Sequence, residues 1–338
     1  MIEIRRYTPA DAAEWNNFVW LKSRQGTFLF DRNYMDYHQD RFHDHSLMFF
    51  HKRKLYALLP ANEMIETSQG ETSETLLGEA SMTGSTKKIL YSHQGLTYGG
   101  LLTCPKVTAE VCIEIFESLR EYLRENGFQS CIYKAMPWIY QRIPSEEDLY
   151  ALTHVAKAKL KAREISTTIP LDAPLPFSEL RRRGIKKAER NELDVKFTKF
   201  PNDITAFWNL LDANLLERHH THPVHSLEEL ELLMHRFPDN ILCFVVEKDE
   251  TIIGGSIVYA TPQVIHTQYI AANELGKQLG ALDALFDFII HKCRWNVPYF
   301  DFGKSTEDEG NFLNRNLIHQ KEGFGGRGII YDTYEWEI

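Results

Sequence analysis

The sequence predicts a mixed α/β protein made of two tandem domains of one fold, each a mixed sheet flanked by helices. Three observations predict it. Its 338 residues suffice for two domains at roughly 100–200 residues each. Apolar residues at 43% and charged residues at 25% are the ordinary balance of a globular chain, so each half can bury a core. Finally, one order of elements occurs twice: hairpin, strand, glycine-containing turn, helix, strand.

In the first half, the apolar runs Leu47–Phe50 and Leu55–Leu59 flank a polar His-Lys-Arg-Lys and read as a hairpin. A stretch rich in Glu, Ser, Thr and Gly, from about Glu66 to Lys88, reads as a mobile loop. A strand at Ile89–Ser92 and a turn at Gly95–Gly100 follow. From about Thr108 to Glu125, Val111, Cys112, Ile115, Phe116, Leu119, Tyr122 and Leu123 share one face at the helical period. Asn126-Gly127 ends that helix, and Gln129–Ala135 forms the next strand.

The second half repeats the order. Ile241–Val246 and Thr251–Tyr259 flank Glu-Lys-Asp-Glu, and Val264–Ala271 is a strand. Asn273–Gly280 is the glycine-containing turn, and a helix to about Cys293 turns Leu282, Leu285, Phe286, Ile289 and Ile290 to one side. Val297–Gly303 is the closing strand; Tyr299 lies 168 residues beyond Cys131 in its counterpart. The matched order and the half-chain offset point to duplication of one fold. The expected domains are residues 1–165 and 166–338, joined near the proline-rich Pro170–Pro176.

No run reaches the roughly 18–20 apolar residues of a membrane span, and the N-terminus has no apolar stretch behind its arginines, so no signal peptide is expected. Five cysteines without a Cys-x-x-Cys pair argue against a disulfide scaffold and a zinc-thiolate site. The expectation is a cytoplasmic protein. A net charge of −9 argues against indiscriminate nucleic-acid binding. The charge is uneven: Lys157–Lys199 holds twelve Lys/Arg against six Asp/Glu, either a solvated helix face or a local site for phosphate groups.

Where a strand turns into a helix, free backbone N–H groups meet the positive end of the helix dipole and can hold an anion. Asn273, Gly276, Lys277, Gln278, Gly280 and Ala281 sit at such a turn. The spacing is not that of a Walker loop, and a helix start with a capping glycine reads equally well. Ser92-His-Gln-Gly-Leu-Thr-Tyr-Gly-Gly100 is the first half's counterpart, where His93 and Tyr98 suggest either a shaped acceptor pocket or a tight turn. His219, His220, His222 and His225 cluster in a stretch containing Pro223, which does not fix metal-ligand geometry, and no metal is expected. No Gly-x-Ser-x-Gly elbow arranges the Ser, His and Asp residues for hydrolysis.

The element order, together with Arg181-Arg-Arg-Gly-Ile-Lys-Lys-Ala-Glu-Arg190, Tyr299-Phe-Asp-Phe-Gly303 and Gln320-Lys-Glu-Gly-Phe-Gly-Gly326, resembles the GNAT acyltransferase superfamily. The resemblance is strongest to tandem-GNAT and Fem-type (FemABX-like) proteins, whose Fem members transfer aminoacyl groups in bacterial cell-wall synthesis. The frame Lys277-Gln-Leu-Gly280-Ala-Leu282 departs from the superfamily's Gln/Arg-x-x-Gly-x-Gly/Ala at its first and last positions. The resemblance implies two tandem GNAT-like domains, a final strand at 329–336 that can join the first domain, and a donor, acetyl-CoA or another acyl-CoA, at the 273–281 turn. Lys321 matches the family's lysine and is expected to stabilise the developing oxyanion or to bind a phosphate. Arg218 falls in the family's acceptor-side loop, and Lys186 and Lys187 could face tRNA or the phosphates of a nucleotide-linked acceptor.

The expected function is transfer of an acyl group to the primary amine of a small amino-sugar, nucleotide-sugar or amino-acid-like acceptor. The alternatives are a Fem-type transferase with aminoacyl-tRNA as donor, and a non-catalytic binding module that retains the fold.

Overall fold

A computed structural model of the chain describes residues 2–67 and 86–338. The chain divides into two compact units, Met1–Arg163 with Tyr331–Ile338, and Glu164–Ile330.

The first unit begins with β1 (Ile2–Arg6), α1 (Ala12–Asn17), α2 (Arg32–Met35) and the short β2 (His43–Asp44). β3 (Leu47–His51) and β4 (Lys54–Leu59) form the expected hairpin. Its turn is made by Lys52 and Arg53 at φ +50° and +63°, the positive pair that matches the twist of the strands. β5 (Asn62–Thr67) pairs antiparallel with β6 (Thr86–Tyr91). Both ends of the expected 66–88 loop are therefore strand; its middle lies outside the described residues. β7 (Leu102–Thr103) precedes α3 (Ala109–Glu125), which Thr108 caps and which buries Cys112, Ile115, Phe116, Leu119 and Leu123. β8 (Ser130–Lys134) then runs parallel to β6, and α4 (Glu147–His154) follows.

β9 (Lys159–Pro170) leads the chain from one unit into the other. The second unit continues with α5 (Glu179–Arg190), β10 (Asp194–Thr198), α6 (Pro201–His219) and α7 (Leu227–Arg236). β11 (Ile241–Lys248) and β12 (Thr251–Ala260) form the second hairpin, followed by β13 (Val264–Ala272), α8 (Glu274–Leu279), α9 (Ala281–Asp287) and β14 (Tyr299–Lys304). After β15 (Thr306–Glu307), β16 (Phe312–Leu313) and α10 (Arg315–Glu322), β17 (Arg327–Glu337) ends in the first unit. The strand order of the second unit is β10-β11-β12-β13-β14-β9. Ile169, Phe244, Val258, Phe300 and Phe324 form its core together with Leu285 and Phe286 of α9.

The two units repeat one pairing scheme. In the first, β5–β6 is antiparallel, β6–β8 parallel across α3, and β8–β17 antiparallel. In the second, β12–β13 is antiparallel, β13–β14 parallel across α8 and α9, and β14–β9 antiparallel. The closing strand of each scheme is the one that follows the other unit in the chain. These are mixed sheets flanked by helices, the class the repeat predicts.

Two local expectations are corrected. Asn273–Gly280 is not an open turn but the other of its two readings, a helix start with a capping glycine: Asn273 accepts the Gly276 N–H at 2.8 Å and caps α8, which ends at Gly280 in the left-handed region at φ +86°. The helix expected to reach Cys293 is α-helical only to Asp287 and then widens into a π-helical turn, Phe288–Lys292.

Candidate functional site

In the second unit, β13 and β14 are paired over only three residues, Val264–His266 with Tyr299–Asp301. Beyond that ladder β13 runs to Ala272 and β14 to Lys304 with no further pairing between them in register. A bulge bends β13 at the same place: Tyr269 faces Ile257 and Thr267 faces Val258, so Gln268 is the extra residue. A cavity of about 280 Å³ is bounded by Ile270 and Ala272 from β13, Phe302 from β14, Leu282 and Phe286 from α9, and Lys321 from α10. A second cavity, about 360 Å³, shares Lys277, Leu282 and Gln320 with it and adds Arg181, Asp283 and His319. The first is largely apolar and the second carries charge.

The residues expected at the donor turn occupy this edge in varied ways. Lys277 borders both cavities and is paired with Glu274. Gly280 and Ala281 border the second cavity, and Gln278 is exposed. Asn273 is the α8 cap, with its side-chain oxygen already engaged. The two glycines serve close backbone approach within the protein. A Cβ on Gly276 would lie 2.3 Å from the Ile253 carbonyl oxygen, and one on Gly280 2.6 Å from that of Gly184 in α5.

Among the cations, Arg218 is on α6 rather than in a loop, borders the first cavity, and shares Glu274 with Lys277. Lys186 and Lys187 are exposed on α5 and border neither cavity. From the same helix it is Arg181 that reaches the second cavity, with its guanidinium 2.8 Å from the Asp283 carboxylate.

Lys321 is a helical residue in the last turn of α10, not a member of the glycine turn that follows, and it is 5% exposed. Its amine donates to the carbonyls of Gly303 at 2.9 Å and Lys304 at 2.7 Å. Gly303 has φ +77°, a conformation glycine adopts freely. Burial pushes the Lys321 ammonium down to about 8, and the Asp301 charge opposes that fall.

Asp301 is fully buried on β14. It accepts hydrogen bonds from Ser166 at 2.5 Å, Thr168 at 2.7 Å and the His266 Nδ1 at 2.8 Å. Burial alone would raise its carboxyl, but His266, Ser166 and Thr168 together hold it below the usual range. Sequence reading passed over His266, Ser166 and Thr168. The signal it had was a lone carboxylate in the aromatic run Tyr299–Phe302, a buried position that obliges partners.

In the first unit, His93 and Tyr98 are both 2% exposed. His93 borders a cavity, whereas Tyr98 packs among Phe30 and Tyr140 and is not among that cavity's lining residues. Of the histidine cluster, His222 pairs with Asp212 and His225 with the Tyr269 hydroxyl. Among the described residues no group of three or more His, Cys, Asp or Glu is arranged to hold a metal ion. None of their helices is long and apolar enough to cross a membrane.

Residues 178–310 match the acetyltransferase (GNAT) domain family. No curated protein matches the chain. Among solved structures, FemX is similar over 99% of this chain and 97% of its own, with a TM-score of 0.67 at 10% identity. The C-terminal domain of a putative lysylphosphatidylglycerol synthetase from Agrobacterium fabrum is similar over 97% of this chain and 92% of its own, with a TM-score of 0.58 at 12% identity. L-PGS from Bacillus licheniformis follows, over 83% and 81%, at 0.53 and 11%. Residues 178–310 thus match the GNAT domain family, in a chain whose overall fold is similar to that of FemX.

Proposed function

We propose that the chain is an N-acyltransferase that moves an acyl group from acyl-CoA to the primary amine of a small amino-sugar, nucleotide-sugar or amino-acid-like acceptor. The observation that carries this reading is the gap between β13 and β14 beyond His266 and Asp301, with Lys321 buried in its wall. The apolar lining suits an acyl chain and its flexible carrier arm, and the adjoining cavity offers Lys277, Arg181 and His319 to phosphates. Arg181 and Lys277 are already paired with carboxylates, so phosphate binding exchanges partners rather than filling vacant charges.

The donor supplies a thioester carbonyl. The acceptor nitrogen bonds to that carbon, the carbon–sulfur bond breaks, and the proton lost by nitrogen compensates the departing thiolate. The protein's part is to orient the two reactants and to stabilise charge growing on the carbonyl oxygen. Lys321 is the cation nearest that task, and the His266–Asp301 pair fixes the strand whose next carbonyls hold its amine.

A second reading, aminoacyl-tRNA as donor, is favoured by one observation. Arg182, Arg183, Lys186, Lys187 and Arg190 are exposed on α5 and border neither cavity. Thermal unfolding with CoA and with tRNA separates the two. A ligand at about a hundred times its dissociation constant adds about 2.7 kcal/mol. Stabilisation by CoA, with an acylated amine found by mass spectrometry, is the expected result; stabilisation by tRNA alone would replace the acyl-CoA reading with the second.

A further inference from the structure

Of the cations on α5, only Arg181 borders either cavity of the second unit described above. At 3.6 residues per turn, Arg181, Gly184, Ile185 and Ala188 share one side of the helix. That side is packed: Arg181 pairs with Asp283, a Cβ on Gly184 would meet the same carboxylate, and Ala188 is buried. Arg182, Arg183, Lys186, Lys187 and Arg190 fall on the opposite side, and all five are exposed. Arg182, Lys186 and Arg190 form one row four residues apart, about 12 Å long at 1.5 Å per residue, with Arg183 and Lys187 alongside.

On this face Arg183 has a carboxylate partner, Glu179 in the first turn. Arg182, Lys186, Lys187 and Arg190 make no ion pair among the described residues. Glu189, the other acidic residue of α5, lies at the margin of the face. Four uncompensated cations on one helical face are a surface for closely spaced negative charge. The chain carries −9 in all, so this attraction acts only within a Debye length of the helix, about 8–10 Å.

Nucleic acid and an anionic lipid surface both carry such charge, and the neighbouring side chains favour the lipid. Single-stranded nucleic acid is held by stacking its bases on aromatic rings beside the cations, and α5 has no aromatic residue. It has instead Leu180, 59% exposed at the edge of the cationic face; Leu175, three residues before the Ser178 cap, is 42% exposed. A phosphodiester backbone offers nothing to leucines. At a bilayer surface, cations meet headgroup phosphates and apolar side chains enter the acyl boundary just beneath them.

We propose that the outer face of α5 docks the protein reversibly on an anionic phospholipid bilayer, its five cations against the headgroups and Leu180 in the interface. The inference is independent of the proposed function, since docking needs neither donor nor acceptor.

Co-sedimentation of the full chain with vesicles, beside a titration with tRNA, tests it. Vesicles of phosphatidylserine and phosphatidylcholine in equal parts are expected to bind the protein, and vesicles of phosphatidylcholine alone are not. Raising the salt from about 0.1 to 1 M, which shortens the Debye length from about 10 to about 3 Å, is expected to release it. Arg182→Gln, Lys186→Gln and Arg190→Gln together are expected to weaken binding about a hundredfold, each cation contributing about fivefold. Leu180→Ser is expected to weaken it severalfold. These substitutions are at exposed positions and leave the packed side of α5 intact. No binding to the anionic vesicles, equal binding to the neutral ones, or wild-type binding by either variant would overturn the inference. Binding of tRNA in place of the vesicles would overturn it too, and would give the face to nucleic acid.

Discussion

Lys321 and Asp301 are single residues that test the second unit's proposed chemistry and its stability. Below about pH 8 Lys321 is an ammonium and above it a neutral amine. If the ammonium stabilises charge on the acyl carbonyl, kcat falls as pH rises through about 8, while Lys321→Ala loses about 10²-fold in kcat and that descending limb with it. A KM rising with kcat intact would instead assign Lys321 to phosphate binding. Asp301 works the other way. Its native carboxyl is held low, so its stabilisation is complete above the ordinary carboxylate range and is lost as pH falls through the native value. Asp301→Asn strands its partners and is expected to cost about 3–5 kcal/mol near neutral pH, the gap from wild type closing in acid; urea unfolding at the two pH values measures it. Neither role is legible in local sequence. His266 and Asp301 are 35 residues apart, and only the parallel ladder makes them neighbours. Lys321 lies beside three glycines in the sequence, which drew it into a turn, whereas Asn314 caps a helix that holds it.

At the scale of elements, the crossing of α5 and α9 depends on two absent side chains. A Cβ on Gly184 would lie 2.0 Å from the Asp283 carboxylate, and Gly280 both meets Gly184 and needs φ +86°. Gly280→Ala is therefore expected to destabilise by more than about 1 kcal/mol, the usual range of backbone strain alone, visible as a lowered melting temperature. A bulkier Gly280→Asp would lose donor binding through displaced packing, so only a stability measurement beside the binding assay gives that variant meaning. The large elements were legible because their apolar faces keep a strict period: α3 buries five of the seven residues of its predicted face and half-buries Val111 and Tyr122, with Thr108 as cap. α8 was legible only as one of two readings, because Glu274–Leu279 has too few apolar residues for a period. The hairpin turns lacked the usual signal too. Lys52-Arg53 and Asp249-Glu250 adopt positive φ without Asn or Gly, and only the flanking strands revealed them.

For the molecule as a whole, the decisive fact is that the first unit is discontinuous. Thr333–Glu337 pairs with Ser130–Lys134, and Trp336, 1% exposed, packs against Phe116. A chain ending at Ile330 is expected to lose protection from hydrogen exchange throughout the first unit while Glu164–Ile330 stays protected; equal protection in both units would show that β17 is dispensable. The duplication was readable from element order and the final strand's return from the family resemblance, whereas the full exchange of closing strands, with β9 closing the second unit's sheet, was not. Two repeats in tandem read the same whether each closes its own sheet or the other's. That exchange has a consequence for how the protein is made. On the ribosome, β8 emerges some two hundred residues before β17 (130 against 327), and at about 5–20 residues per second it waits for tens of seconds. Throughout that interval one edge of the older sheet offers unpaired backbone groups to any passing strand. The segment made later can finish folding first, and the segment made first depends longest on chaperones.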